Sequence, residues 1–142
     1  MKRISLLAAI AFALATPLLA FGQTPPPAQK AKFVPPVKGW ATIEVMRVGN
    51  AKRAGKDIIT TLKIKNTSKG SINLLRIDQY WYDKNSKQVS FGDYRHKKAP
   101  ILPGEVVEIQ VVAQNAPTIS HDMLIFSHAN GKVDAKQVKK IE

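Results

Sequence analysis

The chain has no cysteine among its 142 residues. That excludes a disulfide, a thiolate nucleophile, a cysteine-ligated metal site and a lipidated cysteine. Carboxylates are scarce too, ten against 22 lysines and arginines, so the formal net charge is +12. Catalytic signatures are missing: no serine lies in a Gly-x-Ser-x-Gly elbow, and no Gly-x-x-x-x-Gly-Lys phosphate loop occurs. No window beyond residue 39 carries an amphipathic helical period. The one apolar run near membrane-spanning length is at the start of the chain, and Pro17 interrupts it.

That opening run reads as an export signal. Lys2 and Arg3 precede an uncharged stretch from Ile4 to Phe21, and Ala20-Phe21-Gly22 presents small residues where a signal peptidase cuts. The mature chain is expected to begin near Gln23; if kept, the same run would serve as an anchor. The leader holds two of the 22 basic residues and none of the ten acidic ones, which leaves about +10 on the mature protein. One domain without disulfides, carried by a leader, points to the periplasm or exterior of a bacterium. There the partners of a basic protein are anionic lipid, acidic glycan or an envelope protein, and nucleic acid is disfavoured by the compartment. The lysines are dispersed, so simple solubilisation is the competing reading.

Residues 23–38 hold five prolines and three lysines, the composition of an extended spacer. From residue 39 to 142 the period is two. Ile58, Thr60, Leu62 and Ile64 alternate with Ile59, Thr61, Lys63 and Lys65, and Val107, Ile109 and Val111 alternate with Glu108 and Gln110. A long strand is expected over Ile72 to Tyr82, with Leu75, Ile77 and Trp81 inward beside Gln79 and the tyrosines partly exposed. Trp40 to Val48, Gln88 to Phe91, Met123 to His128 and Lys132 to Val138 supply further strands, and Asn130-Gly131 marks a hairpin. Seven to eight short strands at this spacing predict an immunoglobulin-like two-sheet sandwich of antiparallel strands.

Asn66-Thr67-Ser68, Trp81-Tyr82-Asp83-Lys84 and Leu102-Pro103-Gly104-Glu105 together resemble the FxLYD-type immunoglobulin-like domains of bacterial envelope proteins. The likeness spans about residues 40 to 130. It departs from the pattern in Trp-Tyr-Asp and in the basic stretch Tyr94-Arg95-His96-Lys97-Lys98. It implies an extracytoplasmic binding or structural module without catalytic activity and without a named ligand.

The remaining constellations favour structure over chemistry. His121 and His128 are seven residues apart, hence on opposite faces of one strand, and His96 lies elsewhere, so no metal site is expected. Ser120-His121-Asp122 are neighbours in sequence, where a triad needs residues converging from separate segments. No catalytic residue and no cofactor is assigned. The candidate binding residues are two basic clusters read as loops: Lys52, Arg53 and Lys56, and Tyr94, Arg95, His96, Lys97 and Lys98. Two partners stay open at this point, an anionic polymer through these loops or an envelope protein through a sheet edge or aromatic face.

Overall fold

The computed structural model describes Lys32–Glu142. The expected leader and most of the proline-rich spacer lie outside the described residues. Eight strands follow in order: β1 (Ala41–Arg47), β2 (Lys52–Ala54), β3 (Asp57–Asn66), β4 (Arg76–Tyr82), β5 (Gln88–Arg95), β6 (Val106–Gln114), β7 (His121–His128) and β8 (Gly131–Gln137). Alternation is clearest in β1, β3 and β6. Ala41, Ile43 and Val45 point inward from β1, Ile58, Thr60, Leu62 and Ile64 from β3, and Ile109, Val111 and Ala113 from β6.

The chain is all-β, but the expected two-sheet sandwich is not what forms. The ladders run β1-β8-β7-β4-β5-β6-β3, and β3 then pairs back to β1, so seven strands close into a barrel with β2 as a flap on β3. The expectation failed because alternation reports only that each strand has a buried face, a property shared by sandwiches and barrels. Closure depends on what the end strands do. β3 is ten residues long and pairs β2 through Asp57–Ile59, then β1 through Leu62–Asn66 along the same edge. β8 joins β1 in parallel, from Ala41↔Val133 to Val45↔Gln137, so the strands are not all antiparallel either.

Two junctions in the ring are short. β5 meets β6 only at Gly92↔Ala113 and Asp93↔Val112, and β7 meets β8 only at Ser127↔Lys132 and His128↔Gly131. Each contains a glycine with no room for a side chain. A Cβ on Gly92 would lie 2.5 Å from the Val112 carbonyl oxygen, and one on Gly131 would lie 2.1 Å from that of Gly39. Gly131 also holds φ at 154°, a conformation open to glycine and strained for other residues.

The interior is packed with side chains. Ile43, Val45, Leu62, Ile64, Ile77, Ile109, Val111 and Phe126 form its middle. Ile72 and Ile101, each donating its amide to the other's carbonyl at 2.9 and 3.0 Å, plug one end together with Leu75. Asn66 secures that end: its Nδ2 donates to the carbonyls of Gly70 (2.9 Å) and Ile101 (2.8 Å), and its Oδ1 accepts from the Ser68 amide (2.8 Å). Trp81, Ile58 and Ala113 close the other end against Ala51 and Ile119. The expected inward face of β4 is the observed one, Ile77, Gln79 and Trp81. The strand itself begins later than expected, at Arg76, because Leu74 takes a left-handed turn (φ 50°). At the N-terminal side of the barrel, Pro36 forms a parallel bridge to Ser71, and the Val37 amide donates to the Ser71 carbonyl at 2.9 Å.

Replacing glycine by alanine in a strand ordinarily helps by reducing the freedom of the unfolded chain. At Gly92 the reverse is expected. Gly92→Ala should lower unfolding free energy by about 1–3 kcal/mol through overpacking at the β5–β6 junction, read as a lower urea midpoint. An unchanged or raised midpoint would show that the junction has slack.

Candidate functional site

The most densely cationic pocket is built where β4 begins and β5 ends. Arg76 and Arg95 are direct cross-strand partners, and the ladder continues one step as the His96 amide donates to the Leu75 carbonyl at 2.8 Å. Two arginines placed opposite each other repel. Each is held by a carboxylate two residues along its own strand: Arg76 Nε donates to Asp78 Oδ1 at 2.9 Å, and Arg95 Nε to Asp93 Oδ2 at 3.2 Å. Because both guanidinium groups are anchored through Nε, their terminal amino groups stay available to a further acceptor. Arg76, Arg95 and Lys97 line one pocket of ≈ 380 Å³, with Leu74 on its rim and Ser127, His128 and Ala129 opposite. None of the described residues lining it is acidic.

Buried histidines form the frame of this pocket. His96 is 5% exposed; its Nδ1 accepts from the Tyr94 hydroxyl at 3.0 Å, and its Nε2 donates to the Ala99 carbonyl at 3.2 Å. His128 is 7% exposed; its Nε2 donates to the Gly39 carbonyl at 2.8 Å, and its Nδ1 faces the Asn130 amide at 3.4 Å. Both rings are thus committed to backbone and tyrosine partners, and they hold the walls rather than offer ligands.

The structure divides the candidate residues taken from the sequence. The segment Tyr94 to Lys98 is not one loop, since Tyr94 and Arg95 end β5. Arg95, His96 and Lys97 reach the pocket, while Tyr94 and Lys98 line a separate recess with Glu105 and Glu108. Lys52 and Arg53 lie on β2, not in a loop, and Lys56 sits in the turn that follows. All three are exposed, around the Asp57 end of β3, with the Lys56 carbonyl accepting from the Asn115 amide at 2.8 Å. The Arg95–Lys97 pocket lies toward the opposite end, where Asn66 holds Ile101. The two basic clusters therefore do not form one surface.

Arg76, Leu74 and His128 were missed in the sequence reading. Arg76 becomes part of the site only through the register that sets it beside Arg95, and no local pattern announces that register. A second polar group, inside the barrel, did leave a trace in Gln79's inward parity. Gln79 is fully buried; its Nε2 donates to Thr60 Oγ1 at 2.9 Å and to Asp122 Oδ2 at 2.7 Å. Asp122 also pairs with Arg47 Nη2 at 2.9 Å. The aromatics of β4 split by face: Trp81 is core, Tyr80 leans on Phe91 with centroids 5.1 Å apart, and Tyr82 stacks on His121 at 5.4 Å.

No family model matches the chain, and no curated protein matches it. Among solved structures it is similar to one described as the structural characterization of IrmA from Escherichia coli. The identity is 7%, the match covers 72% of this chain and 97% of the other, and the TM-score is 0.43, too distant to assign a fold or an activity. Among the described residues, no helix is long and apolar enough to cross a membrane.

Desolvation by burial pushes the Tyr94 phenol above its ordinary value of 10.0. Because the folded state favours the neutral phenol, its contribution to stability is intact below pH 10 and is lost as pH rises through the raised value. Spectrophotometric titration of the three tyrosines should show a late ionisation that Tyr94→Phe removes. If the late component survives in the variant, the assignment to Tyr94 is wrong.

Proposed function

We propose that this protein is an exported, non-enzymatic binding module of the bacterial envelope, which docks on phosphate-bearing anionic surfaces through the Arg76–Arg95–Lys97 pocket. The export signal read from the sequence supports the compartment. The carrying observation is the Arg76↔Arg95 cross-strand pair with Lys97 beside it around one recess. Guanidinium groups are suited to a tetrahedral anion because they present parallel N–H donors. Local charge agrees with this. Arg76, Arg95 and Lys97 oppose Asp78 and Asp93, an excess of one positive charge at the pocket.

Each basic side chain near an anionic surface contributes about 1 kcal/mol. The double substitution Arg95→Ala with Lys97→Ala should therefore weaken binding to phosphatidylglycerol vesicles by roughly 2 kcal/mol, about thirty-fold. Binding should fall steeply between low and high salt and be lost on neutral phosphatidylcholine. Replacing Lys52, Arg53 and Lys56 by alanine should have the smaller effect. If the triple variant loses binding and the double variant keeps it, the site lies at the other end of the barrel.

A further inference from the structure

The barrel wall has a gap between β7 and β8. After the two register pairs beside the Ala129–Asn130 turn, the strands part company. β7 continues through residues 121–126, laddered to β4 along one edge. Its other edge has no ladder partner among the described residues. β8 instead turns to β1, which it follows from Val133 to Gln137. Beyond the end of β8, the Arg47–Asp122 ion pair spans from β1 across to β7. The gap is thus a slot with a turn at one end and a salt bridge at the other.

The slot has a volume of ≈ 520 Å³ and an apolar floor made by Leu124, Phe126, Val133 and Ala135. Trp40 and Lys132 stand at its turn end, the ammonium 5.9 Å from the indole centroid. None of the described lining residues is acidic. In an antiparallel pair, alternate residues direct both N–H and C=O away from the partner strand. Half of the six residues on the open edge therefore present backbone donors and acceptors to the slot. Such an edge is a template for another strand. A run of six residues at ~3.3 Å each measures about 20 Å, the length of an ordinary strand.

We infer that this slot accepts an extended segment of another polypeptide as an added strand beside β7. Only a peptide backbone supplies donors and acceptors at the regular repeat the open edge requires. Alternate apolar side chains of the guest would rest on the Leu124–Phe126–Val133–Ala135 floor. The side chains between them face outward near Lys132, on a chain of net charge +12, which selects an acidic guest. The same charge argues against a second copy, since two chains that each carry a large net positive charge repel. The inference does not depend on the anion pocket, since it uses neither Arg95 nor Lys97.

The probe is a fluorescein-labelled octapeptide of alternating valine and glutamate, followed by anisotropy with the full chain. A peptide of the same length with two valines replaced by proline keeps the charge and removes backbone donors. Strand addition predicts at least tenfold weaker binding of the proline peptide, and at least tenfold slower amide exchange at Leu124 and Phe126 in the saturated complex. Lys132→Glu should weaken binding about tenfold without disturbing the core, and Ala135→Trp should block the slot. Should Ala135→Trp fail to fold, Lys132→Glu and the proline peptide still decide. Arg95→Ala with Lys97→Ala should leave octapeptide affinity unchanged, which separates this site from the anion pocket. Equal affinity for the two peptides, protection outside β7, absence of binding at millimolar peptide, or dimerisation through the slot in light scattering would each overturn the inference.

Discussion

The ring holds because two backbones come close enough to bond where a side chain would keep them apart. At Gly92 the Val112 carbonyl across the β5–β6 junction is closer than any Cβ tolerates, and at Gly131 the Gly39 carbonyl, just ahead of β1, leaves no room either. Along β3 and β4 about one residue in two is buried, most of them branched apolar side chains. Without those two junctions, β7, β4 and β5 would form one sheet and the remaining strands another. The single closed sheet is therefore narrowest at two places. Both recesses lined by partly open strands, the β7–β8 slot and the Tyr94–Glu108 recess, adjoin those places.

This geometry explains what could be read from the sequence. Period-two alternation identified β3 and β6, because burial of one face leaves its mark on every second residue, while β4 was marked by its branched and aromatic content, with Ile77 and Trp81 inward as found. Turn chemistry marked the Asp83 corner, where Oδ1 accepts from the amides of Asn85 and Lys87 at 2.8 and 3.0 Å. Asn130-Gly131 announced a hairpin, although the two turn residues are Ala129 and Asn130 and the glycine opens β8. Closure into a barrel was not legible. It depends on which distant strands pair, and Gly92 in isolation looks like any weak point in a strand. The candidate site was half legible for the same reason: the run of basic residues at 95–98 is visible as composition, but its partner Arg76 is set by register.

Charge is distributed on a similar plan. The two basic clusters sit at opposite ends of the barrel, and three of the carboxylates, Asp78, Asp93 and Asp122, are spent on fixing arginines. Asp78 and Asp93 orient Arg76 and Arg95 on the outside, while Asp122 draws Arg47 against the wall and ties it to Gln79 and Thr60 within. Buried polar groups of this kind are costly when a partner is missing and specify one arrangement when all are present. With only ten acidic residues in the chain, few positions remain at which a cation is compensated.

The parallel pairing of β1 with β8 has a consequence in time. The first and last strands of the barrel meet through Ala41↔Val133, partners roughly 90 residues apart in the chain. Contacts so distant are entropically late, and during synthesis they cannot form before β8 is delivered. Until then β1 has only β3 beside it, and the chain remains an open, unclosed sheet. A ring completed by β8 stays an open sheet while the strands before it are being made, and becomes a barrel only once β8 can reach β1.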